Sequence, residues 1–340
     1  MVNAMLASMT LKSLMRRVAP GWGSSAPSGG AEPTGTASGR QTDLVLWIMA
    51  GLVVLSLLGF AGYYYYDRYY HPDQKILDRQ AQHIEAMVQK DPQNADLRVG
   101  VATFYLEKGL TDLAIQQSEE ALKIEPKHQG ALIVLGQAHG TKGDLDKAIA
   151  SYQTVVDLNK DNHLAKLDTR LEGVYYELGK LYDRQGKRDQ AAAALEEALE
   201  IEPTDADARY LLATLYQKQS DHEGAIRELQ EALRFDPFFT EAYQALATSY
   251  SAQGKTQEAA YAQGMVSFCN DRFSEAATQL EAVTKQSPDL TQAYLGLGLA
   301  YQQLGKRDQA IDALQKYLAA HPRDIIATQA MGRLTKGAAE

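Results

Sequence analysis

A period of 34 residues runs through the C-terminal three-quarters of the chain. In four clear copies, small residues, tyrosines and a final proline recur at matching places: Ala102, Tyr105, Ala114, Ala121 and Pro126; Gly179, Tyr182, Ala191, Ala198 and Pro203; Ala213, Tyr216, Ala225, Ala232 and Pro237; Gly298, Tyr301, Ala310, Tyr317 and Pro322. This pattern predicts two helices per unit, with small residues where the helices cross and a proline after the second helix. Because one pair cannot bury its apolar face alone, the pairs are expected to stack into an all-α solenoid.

The pattern resembles the tetratricopeptide repeat family, and the resemblance covers residues 73–335. It implies a right-handed superhelix of helix pairs whose first helices line a concave, protein-binding groove. The resemblance implies no particular partner, because this fold serves transport, secretion, chaperone docking and complex assembly alike.

A second feature is an uncharged stretch of nineteen residues from Leu44 to Gly62. As a helix it would be about 28 Å long, close to the roughly 30 Å hydrocarbon core of a bilayer. Trp47 lies near one end and Tyr63 to Tyr66 follow the other, which is typical of interfacial aromatic residues. The stretch therefore predicts a single-pass transmembrane helix over 44–66. The alternatives are a buried core helix and a cleaved signal peptide, which would start nearer the N-terminus.

Residues 1–43 precede this predicted span. The part from Pro20 to Arg40 is rich in Gly, Ser and Pro and is expected to be disordered. Before it, apolar residues from Met5 to Val18 recur at near-helical spacing, with Lys12, Arg16 and Arg17 between them. Three interpretations stay open: a tail that binds nothing, an amphipathic segment on an anionic membrane surface, or an organellar transit peptide. Basic residues flank the span almost evenly, so orientation is predicted from the usual behaviour of N-terminal anchors, with the N-terminus cytoplasmic and the repeats extracytoplasmic.

Two irregularities interrupt the repeats. Nine extra residues, His163 to Leu171, carry leucines at spacings of three and four, which predicts a lengthened first helix that projects from the solenoid. Farther on, two units start only seventeen residues apart. The helix from Gln257 to Cys269 is therefore predicted to be the second helix of one pair and the first of the next. Helices at 73–90 and 325–334 are expected to cap the two ends.

The remaining residues point away from catalysis. A net charge of −9 argues against nucleic acid as a partner. The single cysteine, Cys269, excludes an intramolecular disulfide and a cysteine-based zinc site, and it is interpreted as a core residue. No pair of histidines has metal-binding spacing, and no phosphate-binding loop or nucleophile elbow occurs. We therefore expect no enzymatic activity, no metal, no cofactor and no small-molecule substrate.

The family resemblance also implies which residues line the groove, namely Val99, Thr103, Tyr176, Lys180, Arg184, Tyr210, Thr214, Gln244 and Thr248. Tyr176 and Tyr210 are the predicted anchors, because tyrosine offers a large rigid contact area with a polar tip. The alternative is that both tyrosines only pack between helices. The subgroup that holds chaperone C-termini has lysine and asparagine where this chain has Val99 and Thr103, so chaperone-tail binding is not expected.

These features together predict a membrane-anchored scaffold or adaptor that binds other proteins through its solenoid, in assembly or recruitment at a bacterial envelope. Its expected contacts are protein partners and, through one span, membrane lipid. Two alternatives are a structural subunit of one large membrane complex and an import-type receptor with cytosolic repeats.

Overall fold

The computed structural model describes residues 38–70 and 82–336. The chain divides into two compact units after Gln80. The first unit contains one described helix, α1 (Ser38–Tyr70), and the other helices belong to the second. No β-strand occurs in either described range.

Helix α1 is 33 residues long and begins at Ser38, ahead of the predicted start at Leu44. Its described apolar side chains are exposed, including Leu55 at 65% and Phe60 at 69%. Among the residues whose side chains are described, no helix is both long and apolar enough to cross a membrane. The transmembrane helix at 44–66 thus stays a prediction. The amphipathic segment and most of the predicted disordered tail lie outside the described residues.

The second unit is a row of helices that each pack on the next along the chain. Residues 82–90 form α2. The helices that follow are α3 (Ala95–Glu107), α4 (Thr111–Ile124), α5 (Gln129–Lys142), α6 (Leu145–Asn159), α7 (Thr169–Arg184), α8 (Arg188–Ile201), α9 (Ala206–Lys218), α10 (His222–Phe235), α11 (Thr240–Ala252), α12 (Thr256–Cys269), α13 (Phe273–Gln286), α14 (Thr291–Gln303), α15 (Arg307–Ala320) and α16 (Ile325–Lys336).

The first helices of successive pairs also touch one another, because α3 contacts α5, α7 contacts α9 and α9 contacts α11. Beyond the half repeat the same relation links α12 to α14 and α14 to α16. These contacts join the first helices into three groups, α3 with α5, α7 to α11, and α12 to α16. The all-α solenoid is confirmed.

Small residues allow the two helices of a pair to approach closely. A Cβ at Gly179 would lie 2.7 Å from Leu195 Cγ, and a Cβ at Gly298 would lie 2.7 Å from Leu314 Cγ. Both leucines are fully buried. The recurring glycines and alanines of the sequence are therefore packing requirements of the helix crossing.

The recurring tyrosine joins each pair to the one before it. Its hydroxyl meets a glutamate or glutamine twenty residues earlier in the pairs Tyr105–Glu85 (3.3 Å), Tyr216–Glu196 (3.4 Å), Tyr250–Gln230 (3.0 Å) and Tyr301–Glu281. Across the insertion the separation is 29 residues, in Tyr182–Gln153 (3.4 Å). Because Glu85 takes part, α2 occupies the place of a second helix, and its Ile84 and Val88 pack against the core.

The nine-residue insertion adds only residues 169–171 to α7, which has 16 residues where α9 has 13, so the prediction of a long projecting helix is wrong. Ala165–Leu167 is a single 3-10 turn, and α7 begins at Thr169. The Asp168 carboxylate caps α7 by accepting from the Arg170 N–H at 3.0 Å, which sets the helix start there. Leu167 is 78% exposed, whereas Leu171 is buried. The helical spacing of the leucines therefore extends over residues that form a turn and a helix cap rather than a helix.

The half repeat confirms the predicted shared helix. Helix α12 packs on α11 as a second helix and on α13 as a first helix. Both roles leave a mark in its sequence: Ala259 stands 34 residues after Ala225, at a second-helix place, and Gly264 stands 34 residues before Gly298, at a first-helix place. The predicted C-terminal cap is α16, which packs on α14 and α15.

Candidate protein-binding surface

The predicted groove residues lie one helical turn apart on first helices, which places those of each helix on one face. Val99 and Thr103 are on α3, Tyr176 and Lys180 on α7, Tyr210 and Thr214 on α9, and Gln244 and Thr248 on α11. Thr103, Arg184, Gln244 and Thr248 are exposed, and the others are half-buried. We call this set the groove face.

Side chains near the C-terminal ends of the first helices connect neighbouring pairs. The Arg184 guanidinium donates to Gly140 O at 3.4 Å, and Lys218 Nζ lies 2.5 Å from Asp183 Oδ2. The Gln217 amide donates to Ala245 O at 2.7 Å. These contacts hold α5, α7, α9 and α11 in register, so the groove face is continuous across them.

Tyr176 and Lys180 form one local unit on α7. Lys180 Nζ is 5.1 Å from the centroid of the Tyr176 ring and donates to Glu177 Oε1 at 2.8 Å. Burial raises the pKa of Tyr176 to about 12, and the nearby carboxylates of Asp207 and Asp205 add to the rise. Its hydroxyl therefore stays protonated at neutral pH and is available as a hydrogen-bond donor. The Lys180 charge is partly balanced by Glu177.

Tyr210 has a structural role as well. Its ring packs against the Phe239 ring with 5.1 Å between centroids. Burial raises its pKa, and the Glu241 carboxylate adds to the effect. The ring is half-buried, so part of it packs between helices and part remains accessible. The anchor role of Tyr176 and Tyr210 stays a prediction.

Carboxylates collect near the N-terminal ends of α7, α9 and α11. Burial raises the pKa of Glu172 to about 7, and hydrogen bonding to Asp205 adds to the rise. Burial also raises the pKa of Asp207, and the like charges of Asp205 and Asp236 add to the rise. This rim is electronegative, which favours cationic groups beside the Tyr176 end of the groove face.

Within the described ranges, no cluster of three or more His, Cys, Asp or Glu residues is arranged to hold a metal ion. Burial raises the pKa of Cys269 to about 11, so its thiol is protonated and a poor nucleophile at neutral pH. The expected lack of enzymatic activity, metal and cofactor stays a prediction.

One surface feature was not predicted from the sequence. A cleft of about 550 Å³ opens between α11, α12 and α13, and two groove residues, Gln244 and Thr248, form part of its wall. Gln263, Ser267 and Gln279 are among the other residues that line it. One signal in the sequence could have indicated it. Gln263 is polar, whereas the residues at the same repeat position, Leu246 seventeen residues earlier and Leu297 34 residues later, are apolar.

Comparisons with known proteins agree with the repeat assignment. Tetratricopeptide repeat family models match residues 130–162, 184–250 and 261–325. These matches and the helix pairing support the placement of the chain in the tetratricopeptide repeat family. A search of curated proteins finds no match.

Several solved structures are similar to this chain. MamA from Desulfovibrio magneticus RS-1 is 22% identical, with 52% of this chain and 96% of that chain covered and a TM-score of 0.47. A TPR repeat-containing protein from Cytophaga hutchinsonii is 18% identical, with coverages of 75% and 94% and a TM-score of 0.49. YrrB, described as a TPR protein with an unusual peptide-binding site, is 22% identical, with coverages of 63% and 96% and a TM-score of 0.36. At these values the similarity gives no information on function.

Proposed function

We propose that this chain is a scaffold that binds segments of other proteins along the groove face, in assembly or recruitment at a bacterial envelope. The supporting observation is a continuous row of accessible aromatic, amide and hydroxyl side chains on adjoining first helices. Tyr176 and Tyr210 provide rigid contact area, while Thr103, Gln244 and Thr248 provide hydrogen-bonding groups. The matching face of each helix pair is repeated, so one extended partner segment can contact several pairs.

Site-specific photocrosslinking from the groove face tests this function. A photoreactive amino acid replaces Thr103, and in a matched variant it replaces Thr154. Both threonines are exposed and donate their hydroxyls to the carbonyl four residues earlier, Thr103 on the first helix α3 and Thr154 on the second helix α6. We expect crosslinks to a defined protein partner from position 103 and few from position 154. Equal crosslinking from both positions, or none from either, would contradict binding through the groove.

The same proposal includes a membrane anchor at residues 44–66, with the repeats on the extracytoplasmic side. It is supported by the uncharged sequence from Leu44 to Gly62 and by the exposed apolar side chains of α1, such as Leu55 and Phe60. In water, each exposed large apolar side chain forgoes about 1.5–3 kcal/mol of burial free energy, so an apolar environment for α1 is favoured.

We expect the full chain to remain in the membrane pellet after carbonate washing and a chain that starts at Asp73 to be released. Protease added from the extracytoplasmic side should then digest the repeats of the full chain. Release of the full chain by carbonate would contradict the anchor. Digestion that requires access from the cytoplasmic side would reverse the proposed orientation and leave the anchor in place.

A further inference from the structure

The shared helix α12 differs from the other first helices at two places that face the preceding pair. At the first place, Leu178, Leu212, Leu246 and Leu297 are buried in their helices, whereas Gln263 on α12 is exposed. At the second place, Ser267 stands where other pairs have the recurring tyrosine that joins them to the preceding pair, such as Tyr250 and Tyr301. Because α12 is itself the second helix of the preceding pair, no other described helix covers this face.

The result is the cleft between α11, α12 and α13, with α12 as its floor. Ser267 Oγ donates to Gln279 Oε1 at 2.9 Å, which fixes one side of the floor. The charged residues of the lining, Arg272 and Glu275, lie 3.1 Å apart and balance each other. In the part of the chain that the structure describes, no hydrogen bond engages the side-chain amide of Gln244 or Gln263. Ala247 and Val266 add apolar surface to the lining. The cleft is therefore mixed in character and close to neutral, and the two glutamine amides are its free donors and acceptors.

This chemistry selects among ligands of the groove. A bound helix has its main-chain groups already paired, whereas an extended segment leaves one N–H and one C=O per residue unpaired. A glutamine amide can satisfy both kinds of group, and the hydroxyls of Thr248 and Ser251 add further partners. Helices spaced roughly 8–10 Å apart make the cleft roughly 16–20 Å across, which about five extended residues cover.

We propose that this cleft holds the main chain of an extended partner segment where that segment leaves the groove face at the half repeat. The proposal rests on the proposed function, since it assigns part of the same ligand. Gln244 and Gln263 bind main-chain N–H and C=O groups, so this end of the site tolerates many side chains. Selectivity for sequence then comes from the Tyr176 and Tyr210 end.

Peptide binding by the full chain tests the proposal, with an array of synthetic twelve-residue peptides of random sequence as the probe. Peptides that bind are remade with N-methyl groups on single main-chain nitrogens and, separately, with single alanine substitutions. We expect a run of positions at one end of each peptide where N-methylation weakens binding at least tenfold and alanine changes it less than threefold.

The protein variant is Gln263→Leu, which restores the residue type of the other first helices and so should preserve folding. We expect it to weaken peptide binding about tenfold, while Gln190→Leu, which changes an exposed glutamine on the second helix α8, leaves binding unchanged.

Unchanged binding by Gln263→Leu, together with loss of binding by the double variant Tyr176→Ala/Tyr210→Ala, would overturn the cleft proposal and preserve the groove. No peptide binding at all would overturn the groove itself. If an oligosaccharide bound the full chain and this binding were lost in Gln263→Leu, the cleft would be a sugar site and the peptide proposal would be overturned.

Discussion

Replacement of Gly264 by alanine is expected to lower the free energy of unfolding by about 1–3 kcal/mol. A Cβ at Gly264 would lie 2.8 Å from both Cγ and Cδ2 of Leu280, closer than carbon atoms approach without rearrangement. Leu280 is fully buried in the large core of the C-terminal pairs, and Gly296 already lies against its Cδ1. The leucine therefore has little room to move, and the added methyl group separates α12 from α13.

The measurement is urea unfolding followed by circular dichroism, together with amide hydrogen exchange to locate the change. Exchange should rise in α12 and α13 first, because in a stacked array each pair contacts mainly its neighbours. Gly100→Ala is the matched control. Gly100 is exposed on α3, and its Cβ would meet nothing within 4 Å, so this change should stabilise the protein by about 0.5–1 kcal/mol. If both substitutions shift stability in the same direction, the close crossing at Gly264 is not what holds the half repeat.

Gly264 also illustrates what the sequence could predict. The period of 34 and the shift of seventeen residues predicted every helix pair of the described array and the shared helix, because small residues are required wherever two helices cross. Each repeat position requires a small residue for steric reasons of its own, independent of the other positions. For that reason the pattern can be recognised even in α12, where Ala259 belongs to one unit and Gly264 to the next.

The insertion shows where the same reasoning fails. Leucines at spacings of three and four satisfy a helix, but they do not show whether a cap interrupts it. Asp168 decides the matter because its carboxylate, just before the helix, accepts a hydrogen bond from the Arg170 main-chain N–H and so fixes the first turn of α7. Lys166 then pairs with Glu200 of α8, a contact between residues far apart in sequence. Local periodicity contains no information on such a contact.

The cleft could not be predicted for a related reason. Each of its residues is unremarkable alone, since exposed glutamine and serine are common on helices. They form a cleft only because α11, α12 and α13 lie around one space that no other described helix fills. The sequence indicated the shared helix, but the change from a repeated leucine to Gln263 could be related to a cleft only once the neighbouring helices were placed.

The substitution of both Tyr176 and Tyr210 by alanine is expected to weaken partner binding by about 2–4 kcal/mol, because interface energy concentrates in a few aromatic anchors. The two residues occupy matching places on the adjoining helices α7 and α9, so their loss removes adjacent contacts from one wall. Binding of the crosslinked partner, or of an array-selected peptide, is measured by titration with the full chain. Because the rim beside Tyr176 favours cationic partner groups, Lys180→Glu should by contrast strengthen binding by an amount that shrinks at high salt, since a rim charge acts mainly on association.

Tyr216→Ala separates binding from packing. Tyr216 lies on the same helix as Tyr210 and is also half-buried, but its hydroxyl meets Glu196 of the preceding pair at 3.4 Å. Its loss should lower the melting temperature and leave the affinity of the folded protein unchanged. Tyr210 also packs on Phe239, so the double variant should lose some stability too. If the double variant behaves like Tyr216→Ala, with reduced stability and intact affinity, then Tyr176 and Tyr210 are core residues. The groove would then have to bind through its amide and hydroxyl side chains, with Gln244 and Thr248 at the cleft as the next residues to change.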